Sequence, residues 1–377
     1  NALGGSDSFS VAGTAPFPGG IGVLGGDSLE DSVTVLGTTG DDSVTVDLAT
    51  QQVTGIATGP VTLDGVESLT IDGNGTATGD DVSVSGIGSE TVISNLSFAA
   101  NSDTGDSLSV AGTTGHDSFT FAADSATAAS VTRDGSDTTV TYSGLTGTMT
   151  VAGGVSGQDV LTVVGTAGDD TVTTPSATSV SLAATVTIGT GIDRLEIATG
   201  DGNDSITISQ PIAIPKSIDA GAGNDTINLA AAGTSDTTIL GGTGDDNIIG
   251  GPGVDLIFAG AGNDTVDAGA GTDTVYGEAG NDNLTGGTEN DAIFAGEGSD
   301  TITWTTGDGA DTVEGEAGSD VLVFSDSGTI SVDFSSLRTQ VGSVDTAGLE
   351  RIEVTGSGAS DTVNIVGTSG DDAISIL

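Results

Sequence analysis

Carboxylates recur at a fixed interval in the second half of the chain. In "GGPGVDLIFAGAGNDTVDAGAGTDTVYGEAGNDNLTG", residues 250–286, a glycine-rich piece ending in Asp alternates with a three-residue apolar snippet. Asp246, Asp255, Asp264, Asp273, Asp282, Asp291 and Asp300 stand nine residues apart. A two-residue insertion, Trp304-Thr305, precedes Asp311, and Asp320 follows nine residues later. The glycines ahead of each Asp permit positive φ and a tight turn whose carbonyls point at one centre. Carboxylate and carbonyl oxygens gathered at a turn suit a hard cation, and Ca²⁺ takes roughly six to eight such ligands. Mg²⁺ suits it less well, since it demands a small octahedral site and keeps its waters.

The spacing also specifies what holds these turns. Two residues after each Asp stand Ile248, Ile257, Val266, Val275, Leu284, Ile293, Ile302, Val313 and Leu322. An aliphatic residue at every one of these positions predicts a minimal strand with its middle side chain inward. The residues on either side of it face outward. Phe258, Tyr276 and Phe294 fall on one such outward column, 18 residues apart, so they are expected to stack as a ladder. An apolar ladder of that kind predicts contact with another copy or another segment of a polymer. The alternative is cover by a loop of the same chain.

Composition bounds the partners. The 377 residues include 63 Gly and 54 acidic but only 5 basic side chains, a formal charge of −49. Self-repulsion at that charge opposes compaction unless cations neutralise it. Nucleic acid and anionic lipid are excluded as partners on the same ground. There is no cysteine, hence neither a disulfide nor a thiolate metal site. No apolar run is long enough to span a membrane, and no basic-then-apolar segment opens the sequence. Direct membrane insertion is therefore not expected. The opening at Asn1 and the repeat-like close "GTSGDDAISIL" suggest a segment of a longer repetitive protein, the alternative being a processed polypeptide.

The nonapeptide resembles the repeats-in-toxin (RTX) family, whose unit is G-G-x-G-x-D-x-U-x. The resemblance covers residues 241–323. It implies a right-handed parallel β-roll with two nonapeptides per turn and Ca²⁺ between turns stacked on the same edge. Asp246, Asp264, Asp282, Asp300 and Asp320 would line one edge, and Asp255, Asp273, Asp291 and Asp311 the other. Carbonyls of the loop glycines would complete each site: Gly242, Gly244, Gly251, Gly253, Gly260, Gly262, Gly269, Gly271, Gly280, Gly296 and Gly298. Neighbouring Asp pairs then imply about seven Ca²⁺ sites. Asp204 in "TGDGNDSIT" and Asp225 in "AGAGNDTIN" precede Asp246 by two steps of 21 residues and extend the first edge. Glu278 and Glu316 replace the second glycine of their units and Glu289 the fourth, which strains the turn before Asp291. The insertion is expected to distort the Asp291/Asp311 site.

Outside this core a looser phrase recurs: "GTTGDDSVTV" (37–46), "GTTGHDSFTF" (112–121), "GTAGDDTVTT" (165–174) and "GTSGDDAISI" (367–376). Short alternating stretches lie between, and no helix is expected. The fold class is therefore all-β, a right-handed parallel β-roll or β-helix solenoid around the nonapeptide core. The alternative is a row of β-sandwich modules flanking a β-roll, which "TRDGSDT" (132–138), a hairpin signal, favours locally. Three regions are expected: degenerate solenoid over 1–197, calcium-binding roll over 198–324, and degenerate repeats again over 325–377. The Gly-Asp-Asp turns at Asp42, Asp81, Asp117, Asp170 and Asp372 either bind Ca²⁺ or form solvated turns.

Catalysis finds no footing. His116 is the single histidine and sits in a turn beside Asp117. There is no G-x-S-x-G elbow, and aromatic sugar platforms are lacking at 3% aromatic residues. Lys216 is the only lysine, which leaves little room for isopeptide cross-links. Two functions from different classes remain. One is an extracellular, calcium-stabilised structural segment of a bacterial surface layer, fibre or large adhesin. The other is the calcium-dependent folding and export region of a secreted RTX enzyme or toxin, with the catalytic domain elsewhere.

Overall fold

In the computed structural model the described residues are 158–325, apart from 184, 306 and 310, together with the strands on either side of that stretch and a few residues adjoining them. They form strands and turns, with no helix among them. The chain divides into two compact units: Asn1–Gly165 with Thr178–Glu196, and Thr166–Ala177 with Ile197–Leu377.

The second unit carries the nonapeptides. Its strands fall alternately into two parallel sheets. One stacks Lys216–Ala222, Thr237–Thr243, Asp255–Ala261, Thr274–Ala279, Ala292–Gly298 and Thr312–Gly318. The other stacks Thr171–Ser176, Ser205–Thr207, Thr226–Asn228, Asn247–Pro252, Thr265–Ala270, Asn283–Thr288, Thr301–Thr305 and Val321–Ser325. A chain that returns to the same sheet every second nonapeptide can pair only in parallel, like residue upon like residue. This is the parallel β-roll.

Register follows the aliphatic position. Ile218, Ile239, Ile257, Val275, Ile293 and Val313 stack in one sheet, and Ile206, Ile227, Ile248, Val266, Leu284, Ile302 and Leu322 in the other. All are at most 2% exposed. Burying such a side chain stabilises by roughly 1.5–3 kcal/mol, so each turn contributes its own share of core. A one-residue slip would turn a whole strand's aliphatics outward, which is why the register is unambiguous.

The first unit is built on the same parallel stacking. Ser8–Ala12, Ser32–Leu36, Ser68–Asp72 and Asn95–Ala99 pair in parallel, as do Ser43–Asp47, Asp81–Ser85, Ser107–Ala111 and Thr148–Ala152. Antiparallel excursions interrupt it. Ser118–Ser125, Ala128–Arg133 and Thr139–Ser143 run as a meander, and so do Ser43–Asp47, Gln52–Thr54 and Val61–Asp64. The hairpin signal at 132–138 thus belongs to an excursion from a solenoid, not to a sandwich: Thr139–Ser143 goes on to pair in parallel with Asn95–Ala99.

The chain crosses between units more than once because its pairing partners alternate. Thr171–Ser176 joins Ser205–Thr207 in the second unit, whereas Thr185–Ile188 pairs with Thr148–Ala152 in the first.

Candidate metal centre

Six-residue loops join the sheets of the roll, and their glycines sit where no side chain fits. Gly260 and Gly262, the second and fourth residues of the loop ending at Asp264, have φ of 116° and 141°. A Cβ on either would stand 2.0 Å from the carbonyl oxygen of Gly242 or Gly244 on the preceding turn. Two constraints coincide: a backbone conformation that L residues avoid, and carbonyls of each loop projecting into the gap before the next.

Three glutamates occupy such positions. Glu278, Glu289 and Glu316 hold φ of 70°, 83° and 63°. Left-handed backbone costs about 1–2 kcal/mol for a residue with a Cβ. Glu289 offsets part of this, since its Oε2 accepts from Gly271 N–H at 3.0 Å and from the Thr288 hydroxyl at 2.9 Å.

The aspartates form two columns. In the first, Oδ1 of Asp204 accepts from the backbone N–H of Asp170, Asp225 from Asp204, Asp246 from Asp225, Asp264 from Asp246, Asp282 from Asp264, Asp300 from Asp282 and Asp320 from Asp300, all at 2.7–3.0 Å. In the second, Asp255 accepts from Thr237, Asp273 from Asp255, Asp291 from Asp273 and Asp311 from Asp291, at 2.8–2.9 Å. Each carboxylate therefore reaches back one turn. All eleven are buried.

The other carboxylate oxygen is the informative one. Oδ2 of Asp204, Asp225, Asp246, Asp255, Asp264, Asp273, Asp282, Asp291 and Asp300 is buried without a hydrogen-bond partner. A Cβ on Gly241 would stand 2.7 Å from Asp246 Oδ2 and 2.4 Å from Ala259 O; one on Gly277 would stand 2.7 Å from Asp282 Oδ2 and 2.2 Å from Ala295 O. A carboxylate oxygen and a carbonyl from the next turn thus converge over a glycine, with no donor between them. A buried unpaired anion is costly unless its charge is neutralised. Burial pushes Asp246, Asp273, Asp282 and Asp291 up to about 7, and Asp255 and Asp311 up to about 6. Amides bonded to Oδ1 oppose this, while neighbouring carboxylates in the column add to it for Asp246, Asp273, Asp282 and Asp291.

Among the described residues no three acidic or histidine side chains converge on one point. Carbonyls must therefore supply most ligands. Oxygen-only donors from stacked loops, with one carboxylate oxygen in reserve per turn, fit Ca²⁺ and suit no soft metal.

The insertion leaves the columns intact. The strand Thr301–Thr305 lengthens to include it, with Trp304 opposite Phe324, and Asp308 closes the following turn by accepting from the Thr305 hydroxyl at 2.7 Å. Asp291 and Asp311 remain linked across their longer step, at 2.9 Å.

Several participants were not apparent in the sequence. Beside the first column runs another, made by the residue before each Asp. Asn203 Oδ1 accepts from Asn224 N–H, Asn224 from Asp245, Asp245 from Asn263, Asn263 from Asn281 and Asn281 from Ser299. These bonds reach forward one turn, opposite in sense to the aspartates. On the second edge this position holds Asp236 and then Val254, linked at 3.3 Å. Asp170 heads the first column, and its Oδ2 accepts from both the N–H and the hydroxyl of Thr166, at 2.6 and 3.2 Å. Lys216 and Thr237 take the aspartate position at the head of the second.

Of the Gly-Asp-Asp turns, Asp117 lies in the first unit, where its N–H donates to Asp159 Oδ1 at 2.8 Å. Asp42, Asp372 and the side chain of Asp81 fall outside the described residues, as does His116.

No curated protein matches the chain. A family model for the RTX calcium-binding nonapeptide repeat matches it in four copies, over residues 217–231, 232–266, 267–302 and 305–325. The stacked loops of residues 217–325 are thus a run of RTX calcium-binding nonapeptide repeats.

Proposed function

We propose that the chain is a calcium-stabilised structural segment of a secreted or cell-surface bacterial protein: a surface layer, a fibre or a large adhesin. The observation that carries this reading is the row of buried, partnerless Oδ2 atoms in stacked loops of a solenoid. Ca²⁺ bound there would neutralise them. Asp246, Asp264, Asp282, Asp300 and Asp320 would hold it on one edge, and Asp255, Asp273, Asp291 and Asp311 on the other, with loop carbonyls as further ligands. Neighbouring pairs give seven sites, and Asp204 and Asp225 extend the first edge. Each cation contributes only its charge and its demand for oxygen; the chain supplies geometry, a dry gap and a fixed step between turns.

The outward column supports a lateral role. Phe258 stacks on Tyr276 and Tyr276 on Phe294, with centroids 5.0 Å apart and ring planes within 11°. Leu240 and Leu256 beside them are 38% and 36% exposed, and Val254 is 53% exposed. A flat apolar stripe on a strongly acidic protein is a surface for another copy or another segment of the same polymer.

Sedimentation and electron microscopy of the chain in millimolar Ca²⁺ and in chelator test the reading. Ordered assemblies formed only with Ca²⁺ are expected. A calcium-folded protein that stays monomeric at every concentration would point instead to a folding and export region serving a separate catalytic domain.

A further inference from the structure

The register of the second edge brings a basic residue to its head. Lys216 pairs with Thr237 and Thr237 with Asp255, so all three occupy the same loop position on successive turns. Lys216 is 3% exposed. Its Nζ lies 3.4 Å from Ile212 O, 3.4 Å from Ile214 O and 3.3 Å from Ser235 O. Ile212 and Ile214 are the second and fourth residues of the loop 211–216, and Ser235 is the fourth of the loop 232–237. Further along the roll these are the glycine positions whose carbonyls project into the gap before the next turn. An ammonium brings three donors, and here they meet three carbonyls from both walls of one gap.

We propose that the Lys216 ammonium is a covalently tethered cation, filling between loops 211–216 and 232–237 the place that Ca²⁺ takes in later gaps of the same edge. The inference rests on the calcium reading above. Thr237 supports it. In the regular gaps an Asp reaches back from the later turn, so each gap would contain a dication and a carboxylate. In this gap the later residue is the neutral Thr237, whose hydroxyl donates to Ser235 O at 3.4 Å. Ammonium with threonine and Ca²⁺ with aspartate carry the same formal charge, so both residues have changed together. Burial lowers the pKa of the Lys216 amine, and the nearby carboxylates of Asp255 and Asp236 oppose that shift in favour of the charged form. A tethered cation cannot dissociate. The first gap of the edge is therefore closed whatever the Ca²⁺ concentration, and offers a formed turn on which the next can stack. The first edge is closed differently, by Thr166 on Asp170.

The test is to count bound Ca²⁺ by equilibrium dialysis on the 377-residue chain, as wild type, K216M and the double variant K216D/T237D. The double variant restores the repeat and should bind at least one more Ca²⁺ than wild type, since Asp at 237 would neighbour both Asp at 216 and Asp255. K216M should bind the same number as wild type but unfold at a lower temperature in saturating Ca²⁺. A wild type that binds no Ca²⁺ would overturn the calcium reading itself. A wild type that binds Ca²⁺, with a folded double variant binding no more, would overturn only the role given to Lys216, as would an unshifted K216M. Should the variants not fold, amine acylation of Ca²⁺-saturated wild type decides, with modified peptides located by mass. Lys216 protected from the reagent is expected; labelling as fast as in the denaturant-unfolded chain would overturn the inference.

Discussion

The backbone N–H of Asp246 donates to Oδ1 of Asp264 at 2.8 Å, 18 residues further along the chain. One carboxylate thus does two things. One oxygen fixes the register of its turn against the turn before, and the other, buried without a hydrogen-bond partner, would meet a cation. On the calcium reading proposed above, folding and metal binding would not be separable events in this roll, because the group that would bind is the group that stacks.

Calcium should decide whether residues 217–325 fold. If each of seven sites is held at about tenfold above its dissociation constant, linkage contributes ~1.4 kcal/mol per site, or ~10 kcal/mol in all. That equals a whole domain's stability of about 5–15 kcal/mol. Circular dichroism should show β-structure gained on adding Ca²⁺ to chelated protein. Identical spectra with and without chelator would refute the proposal.

Asp264→Ala should remove more than a ligand. It leaves the Asp246 N–H buried without its acceptor, at a cost of about 1–3 kcal/mol before any loss of calcium. Asp291→Ala should cost less in calcium-saturated protein, because its turn already carries the left-handed Glu289. Thermal midpoints and calcium stoichiometry of the two variants, measured side by side, check the ranking.

Acid should act in opposite directions on the metal-free and the calcium-bound roll. Asp246, Asp273, Asp282 and Asp291 have folded-state values near 7, far above the ordinary carboxylate range. A raised value means that stability is present at low pH and lost as pH climbs through 6 to 7. In chelator the roll should therefore unfold more readily at pH 8 than at pH 5. With calcium the sense reverses, since bound protons must leave first; apparent affinity should fall up to about tenfold per pH unit below 7 for each proton displaced. Chelated protein that is more stable at pH 8 than at pH 5 would contradict the first half.

Tyr276→Ser with Phe294→Ser should separate assembly from calcium. Each ring contact contributes about 0.5–1.5 kcal/mol beyond its buried area, and neither residue belongs to a loop. Calcium stoichiometry should be unchanged while sedimenting assemblies disappear. Normal assembly of the double variant would remove the apolar ladder as an interface.

Gly260→Ala should be among the most damaging single changes in the roll. The added Cβ meets Gly242 O at 2.0 Å on a backbone with φ of 116°. Calcium-saturated melting should drop sharply, and little effect would mean that the loops are looser than their stacking suggests.

Much of this could be read from the nonapeptides because they state one position at a time. The aliphatic two residues after each Asp specified the strand, its inward face and the register, and Ile257 does lie beside Val275. The head of the second edge could not be read that way. "PIAIPK" contains neither glycine nor aspartate, and only backbone pairing places Lys216 in line with Asp255. The asparagine column was hidden for another reason: Asn203, Asn224 and Asn263 fit a turn equally well as solvated caps, and their forward bonds depend on how closely the loops stack. In the first unit, hairpin excursions obscure the period, so parallel pairing of distant segments such as Ser118–Ser125 and Asp159–Val164 has no local signature.

The 18-residue step has a mechanical meaning. Folded, one turn advances the roll by about 4.8 Å; pulled straight, the same residues span roughly 60 Å. A load along the axis would thus be met turn by turn, each release paying out more than ten times the length it occupied, and each ion rebound would let the chain reel that length back in. With calcium bound as proposed, such a segment would be a tether whose slack is stored in loops and whose catch is set by the calcium around it.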